Sequence, residues 1–483
     1  MSNLPKTSKL SDTLIISRLL GGLWQIADME RDGKIMDLEL AAHSMNGYIE
    51  KGITAFDMAD HYGSAELITG VYQELFGNTQ EAQFLTKWVP EPGPSNPQLV
   101  RTAVEKSLDR MKISSIDLLQ FHAWNYADPS WLDCLFWLQE LKQEGLIKNL
   151  GVTNLDAAHL RIAVTSGIEV VSNQICYSVL DQRAAYEMSS VCEEFQVKIL
   201  AFGTLAGGFL SEKWLGKSEP TELITWSQMK YKRFIEEAGG WTKFQKVLAD
   251  LNDLAQDKKC SIANIATRFI LQAPNVAGVI IGVRLGESDH IMDNLELYDL
   301  ELSKEDVKAV QNALTPLRPI PGGCGDEYRK PPFLTASGDL SHHVSKMPLP
   351  YQVIEKPGKK IIFSGTIWED IAGFSRAVMK GKQIHVSGTT ATHGNRVIGG
   401  KDPIAQTHFV IDKIEGALQS FGASLNDVVR TRVYVKNLNQ WEIVAKVHGQ
   451  RFGAVQPANT LVRADLVGDE YLVEIEAEAE FAL

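Results

Sequence analysis

Side chains capable of proton chemistry recur where apolar runs of this sequence end. Asp57 and Tyr62 lie in "FDMADHYG" after "GITA", Lys87 ends "QFLTK", and His122 ends "IDLLQFH". A phenol ionises near pKa ~10, so it is a poor acid at neutral pH unless a cation stabilises its phenolate. Lys87 can supply that cation, and Asp57 can hold the ammonium charged and oriented. His122 can hydrogen-bond a substrate oxygen or help pass the proton. The four together suit protonation of an alkoxide as a carbonyl is reduced. No side chain delivers hydride, so this chemistry calls for a nicotinamide cofactor.

Elements of regular structure must bring these residues together. Short β-branched or apolar runs predict strands at "RLLGGLW" (18–24), "ITAFD" (53–57), "QFLTK" (83–87) and "IDLLQFH" (116–122). Four more follow at "IKNLGVT" (147–153), "EVVSNQI" (169–175), "VKILAFG" (197–203) and "AGVIIGV" (277–283). Amphipathic stretches such as 99–111 and 132–143 separate them, with apolar residues three and four apart. Eight strands alternating with helices predict an α/β fold of the (β/α)8 TIM-barrel type. An open doubly wound sheet is the alternative, but no Gly-x-Gly-x-x-Gly turn follows an early strand. In a barrel, functional side chains gather at the C-terminal ends of the strands. Asn154, Gln174 and Arg284 end or follow further strands, so they join the first four at one mouth.

The chain has 483 residues, too many for one core. Composition is that of an ordinary globular protein, 44% hydrophobic and 22% charged. A net charge of −12 argues against nucleic-acid or membrane-surface partners. Five scattered cysteines offer no zinc spacing and point to reduced thiols, and no metal site is expected. With no apolar leader in "MSNLPKTSKLSDTL", the expected location is cytoplasmic. Eight of eighteen prolines fall between Pro316 and Pro357. This predicts a barrel over 1–326, a linker over 327–358 and an α+β domain over 359–483. Tyr328, Phe333, Leu334 and Leu340 are linker residues that could pack onto a neighbouring domain.

The first domain resembles the aldo-keto reductases. "GITAFDMADHYGSAE", "TKW" and "LLQFHAW" match their signature motifs, and "LGVTNLD", "VSNQICYSVL", "AFGTLAGGFL" and "VIIGVRLGESDHIMDNL" follow in family order. The resemblance implies a catalytic tetrad of Asp57, Tyr62, Lys87 and His122, with Tyr62 as general acid. It implies NADP(H) as cofactor and a small-molecule carbonyl substrate. Thr153, Asn154 and Gln174 match groups that bind the carboxamide, and Phe202 matches an aromatic that stacks on the nicotinamide. Gly203 and Leu205 match the pyrophosphate loop. Arg284 matches a 2′-phosphate contact and Asn294 an adenine contact, while His290 stands where the family often has Arg. Trp24, Trp88 and Trp124 are expected to line the substrate mouth.

The C-terminal part resembles the RidA-like family of small trimeric, chorismate-mutase-like domains. The matching stretches are "GFSRAVMKGKQIHVSGTTAT", "FGASLNDVVRTRVYV" and "VQPANTLVRADLVGDEYLVEIEAEA". Glu474 matches a water-positioning acid, and Phe374 stands where many members carry Tyr. Asn459 replaces the Arg that binds substrate carboxylate in deaminating members, and a neutral amide cannot form that bidentate charged pair. The resemblance implies a homo-oligomer, with a trimer through this domain as one form. Two other readings stay open: an NADP(H)-binding sensor with little turnover, and an imine or enamine deaminase in the C-terminal domain.

Overall fold

Eight parallel strands close into a barrel in the computed structural model, which describes residues 5–77, 82–329 and 347–481. They are β1 (Leu19–Gly22), β2 (Ala55–Asp57), β3 (Gln83–Trp88), β4 (Leu118–His122), β5 (Leu150–Thr153), β6 (Val170–Cys176), β7 (Lys198–Phe202) and β8 (Val276–Gly282). Closure comes from β8, which pairs with both β7 and β1. Every strand expected of the barrel is present. The first is shorter than expected, because Trp24 opens the helix Trp24–Met29. The expected helix over 99–111 begins at Pro97, where Asn96 caps it by accepting from the Leu99 amide at 2.9 Å.

Strand alternation sorts the barrel interior into two ends. Leu20, Ala55, Leu85, Leu118, Leu200 and Ala277 form one inward layer, and the hairpin Thr7–Ser11/Leu14–Ser17 seals it with Leu10, Leu14 and Ile16. Two residues further along the strands, the same inward face carries Asp57, Lys87 and Gln120. The interior is therefore apolar at the N-terminal end and polar at the C-terminal mouth.

The second domain is a seven-stranded sheet with helices on one face. Its strands are β9 (Val353–Lys356), β10 (Lys359–Ile362), β11 (Ala377–Lys380), β12 (Gln383–Thr389), β13 (Val428–Val435), β14 (Ala458–Arg463) and β15 (Val473–Glu480). Their order is β9-β10-β11-β12-β15-β13-β14, antiparallel except for β13 with β14. Two stretches of the expected linker belong to the domains instead. Glu327 and Tyr328 are buried against the barrel, and β9 is an edge strand of the sheet. Phe333, Leu334 and Leu340 lie outside the described residues.

The helix Pro403–Ser420 joins the two domains. It packs against the barrel helix Ala157–Thr165 and is buried over almost its whole length. Gly416 permits the approach, since a Cβ there would lie 2.3 Å from the Ala127 carbonyl oxygen. Buried ion pairs cross the same contact. His159 reaches Asp156 through Nδ1 at 2.6 Å and Asp412 through Nε2 at 3.0 Å, and its ring stacks on Tyr126. Arg451 holds Asp412 from the other side at 2.6 Å and also reaches Glu415. Burial alone would lower the His159 pKa, but Asp156 and Asp412 more than offset it and raise it to about 9.

This pair has a testable pH signature. A histidine whose folded pKa is raised stabilises fully below its unfolded value near 6.5, and that stabilisation fades as pH rises through about 9. His159→Gln is expected to cost about 3 kcal/mol at pH 6.5. Thermal denaturation of both proteins should show the gap narrowing between pH 8 and pH 10, and a constant gap would contradict the charged pair.

Candidate active site

The polar mouth of the barrel opens into a cavity of 390 Å³. Lys87 lies at its base, on the inward side of β3, and is 4% exposed. Its ammonium donates to Asp57 Oδ2 at 2.6 Å and to the Met58 carbonyl at 2.9 Å. Burial pulls the Lys87 pKa below its ordinary value, while the Asp57 charge opposes the shift. Asp57 is held in turn by two amides, Gln174 Nε2 at 2.6 Å and Gln120 Nε2 at 3.1 Å, both donating to Oδ1. Both oxygens of this carboxylate therefore accept from buried donors.

Tyr62 lies on the loop after β2, above that pair, with Lys87 Nζ 4.8 Å from its ring centroid. Backbone bonds fix the loop: the Met58 amide donates to the Leu85 carbonyl and the Asp60 amide to the Lys87 carbonyl. Arg110 adds a brace by donating to the Asp60 carbonyl at 2.9 Å while pairing with buried Glu66 at 3.2 Å. His122 completes the four. Its Nε2 is buried and has no partner among the described residues. Burial, reinforced by the Arg329 and His61 charges, holds its pKa well below the ordinary value, so the ring is neutral at pH 7. A neutral imidazole with a spare ring nitrogen is suited to a hydrogen bond with an uncharged oxygen.

The remaining expected residues divide. Thr153, Asn154, Gln174, Phe202, Gly203, Leu205, Arg284 and His290 all line the cavity, as do Trp24 and Trp124. Trp24 meets Tyr62 edge-on at 4.9 Å, and Trp124 meets His122 edge-on at 4.6 Å. Asn154 adopts a left-handed conformation at φ 59°, and its Oδ1 is buried without a partner among the described residues. Gly203 is required where it stands, because a Cβ there would fall 2.1 Å from the Tyr231 hydroxyl. Gln174 departs from expectation in that its amide nitrogen is engaged by Asp57.

Two expectations fail in position. Trp88 does not line the cavity; it follows inward-facing Lys87, so alternation turns it outward to pack on Phe121 at 5.6 Å. Asn294 lies on the helix Ile291–Leu295, one turn beyond His290 and outside the cavity lining.

The structure also adds residues to the site. Gln120 lies midway between Leu118 and His122 on β4, and the two-residue period of "LLQFH" would have turned it inward. Trp226 and Lys230 come from the helix Trp226–Glu237, and Tyr328 from the segment after the barrel. No periodicity in the sequence shows where those two stretches run. The post-barrel segment also grips Asn154: Arg329 donates to its carbonyl at 2.7 Å. Among the described residues, no cluster of His, Cys, Asp and Glu could hold a metal, and no helix is long and apolar enough to cross a membrane.

The C-terminal candidates do not meet in one chain. Asn459 pairs in register with Thr431 and donates to its hydroxyl at 2.9 Å, and Thr431 bonds His448 on the helix face. Glu474 pairs with Tyr434, three residues further along β13, and so faces the opposite side of the sheet. Burial pushes the Glu474 carboxyl up, against the pull of Arg376. Phe374 is half-buried, with the Arg376 guanidinium 5.5 Å from its ring.

A closed parallel barrel with a buried Asp-Lys pair, a phenol and an imidazole at its mouth defines the class of the first domain. The chain belongs to the aldo/keto reductase family, whose model matches residues 18–315. A second family model, endoribonuclease L-PSP, matches residues 366–481, the RidA-like domain. The uncharacterised oxidoreductase YqkF of Bacillus subtilis is 27% identical over 278 residues, 55% of this chain and 84% of that protein. A RutC family protein of Pyrococcus abyssi is 34% identical over 123 residues, 25% of this chain and 96% of its own. The fold is also that of an aldo/keto reductase from Klebsiella pneumoniae crystallised with NADP and acetate. That likeness has a TM-score of 0.50 at 18% identity, covering 66% of this chain and 99% of the other.

The grip on Asn154 gives a prediction. Gly325 has φ 82°, and a Cβ there would fall 2.0 Å from the Asn154 carbonyl oxygen. Gly325→Ala is expected to cost about 2 kcal/mol of stability. Chemical denaturation would measure this, and an unchanged midpoint would show that the segment does not clamp the mouth.

Proposed function

We propose that the barrel is an NADPH-dependent reductase of aldehydes, ketones or sugar-like carbonyl compounds, with Tyr62 as the proton donor. The observation that carries this reading is the Lys87–Asp57 pair beneath the Tyr62 ring inside a cavity. The orphaned atoms fit the same assignment. Asn154 Oδ1 can accept from a carboxamide, the unpartnered His122 Nε2 can share a hydrogen bond with a substrate oxygen, and Phe202 offers a ring face to a nicotinamide. Likeness to a barrel crystallised with NADP supports the cofactor. Arg284 lines the far part of the cavity and is half-exposed, a suitable station for a 2′-phosphate, with His290 beside it.

A nicotinamide held by Asn154 and Phe202 would supply the hydride for the carbonyl carbon. The chain supplies the proton: Tyr62 Oη gives it to the forming alkoxide, and Lys87 lowers the cost of the phenolate that remains. Asp57 keeps Lys87 in place, and His122 orients the oxygen. With Tyr62→Phe, NADPH oxidation across an aldehyde panel is expected to fall at least about 100-fold while NADPH binding persists. Equal turnover by both proteins would discard Tyr62 as the acid.

We further propose that the chain forms a homo-oligomer, a trimer, through its C-terminal domain. The sheet face opposite the helices is free of the barrel, and a short helix nearby exposes Ile367, Trp368 and Ile371. Sedimentation equilibrium should return the mass of three 53.5-kDa chains. A single-chain mass at micromolar concentration would end this reading.

A further inference from the structure

Lys230 is a buried cation that the four catalytic residues leave unexplained. It is 7% exposed, lines the catalytic cavity, and reaches no carboxylate within ion-pair distance among the described residues. Two of the other buried lysines have such partners: Lys87 pairs with Asp57, and Lys232 with Glu219 and Glu236, while Lys413 is met by the Thr390 and Thr392 carbonyls. Lys230 instead donates to the Tyr328 hydroxyl at 2.5 Å and lies against two aromatic faces, 4.5 Å from the Tyr328 ring and 4.9 Å from Phe202. Glu327, the adjacent carboxylate, pairs with Arg183 at 2.9 Å, and neither of its oxygens has a hydrogen-bond partner among the described residues; burial alone would raise its pKa, but Arg183 and then Lys230 hold it low. Lys230 therefore has an acidic neighbour at longer range but no anion in direct contact, and a desolvated ammonium held by a phenol and π-faces can take one.

Its position indicates where the anion comes from. The Tyr328 ring is edge-on to His122 at 5.5 Å, so Lys230 sits one aromatic ring away from the imidazole that faces the reacting oxygen. Gly203, Leu205 and Arg284 are the proposed stations for cofactor phosphates; the helix of Lys230 packs on Ala206–Gly208, and its contact with Tyr328 beside His122 is what assigns Lys230 to the substrate side. We propose that Lys230 and the Tyr328 hydroxyl form the anion-recognising end of this cavity. The preferred substrate then carries a carboxylate or phosphate a few bonds from its carbonyl carbon. This inference rests on the reductase reading of the cavity.

The test compares matched pairs on wild-type protein and Lys230→Met: 4-carboxybenzaldehyde against benzaldehyde, and glyceraldehyde 3-phosphate against glyceraldehyde. In wild type, kcat/KM for the anionic member of at least one pair should exceed that of its neutral partner about tenfold or more. The pair that shows the preference separates carboxylate from phosphate. Lys230→Met should abolish the preference with the Kd for NADPH unchanged. No preference in wild type for either pair overturns the proposal, and that result needs no variant to fold. A weaker Kd for NADPH with equal losses on both members of a pair also overturns it, by assigning Lys230 to the cofactor.

A binding arm separates this inference from the reductase reading. Benzoate and benzamide would be titrated into the protein by tryptophan fluorescence, since Trp24, Trp124 and Trp226 line the cavity. Tighter benzoate binding that Lys230→Met removes would support the anion site even if no aldehyde were reduced. Equal binding of the two ligands would overturn it even if the enzyme were active.

Discussion

A single buried ion pair organises the mouth of this barrel. Lys87 and Asp57 are both nearly solvent-free, and each would be costly alone: removing one partner of such a pair typically costs about 3–5 kcal/mol. The pair is tolerable because Gln120, Gln174 and the Met58 carbonyl complete its hydrogen bonds. Those partners come from β4, β6 and the loop after β2, so the pair is fully hydrogen-bonded only when strands from opposite sides of the barrel are in place and in register. The seal of Leu10, Leu14 and Ile16 at the other end leaves the mouth as the place where polar side chains in the interior can gather.

The legible part of this arrangement was the part governed by strand period. Asp57, Lys87, His122 and Gln174 stand at the ends of apolar runs, and the run boundaries located the strands whose ends bring these residues to one mouth. The same period, applied to Trp88, would have turned it away from the cavity, and applied to "LLQFH" it would have turned Gln120 inward. What the sequence did not disclose is what long connections do. Lys230 and Tyr328 reach the cavity from stretches whose path depends on tertiary packing; the capping box Thr225–Gln228 marks where the Lys230 helix starts but not that it runs over the mouth. The linker boundary blurred for the same reason: proline content marks where regular hydrogen bonding stops, and it does not say that Glu327 and Tyr328 pack onto the barrel before that point.

The joint between domains obeys a different constraint. A helix packed on both sides needs a close backbone approach, and Gly416 provides it over the Ala127 carbonyl. It also needs its polar residues answered, and Asp412 meets His159 and Arg451. Asp402 does the same with Arg161 at 2.5 Å, while also capping the first turn through the Ala405 amide. The pairs with His159 and Arg161 cross from the C-terminal domain to the barrel, so they are met only in the docked arrangement. The two domains are joined by specific packing as well as by chain.

That docking decides which surfaces remain for function. The barrel covers the helix side of the C-terminal sheet, so the alternating acids Glu474, Glu476 and Glu478 on β15 face away from it. Arg432 on β13 meets Glu476 and Glu478 on that open face, giving a sheet surface of paired charge with Tyr434 among it. Side chains connect the interface to the barrel mouth. His159 stacks on Tyr126, the Arg329 guanidinium lies 4.2 Å from the other part of that stack, the Tyr126 ring, and Arg329 holds the Asn154 carbonyl. The C-terminal domain therefore bears on the cavity as a brace behind Asn154. Any ligand or subunit contact on its open sheet face is spatially separate from the barrel's chemistry within one chain.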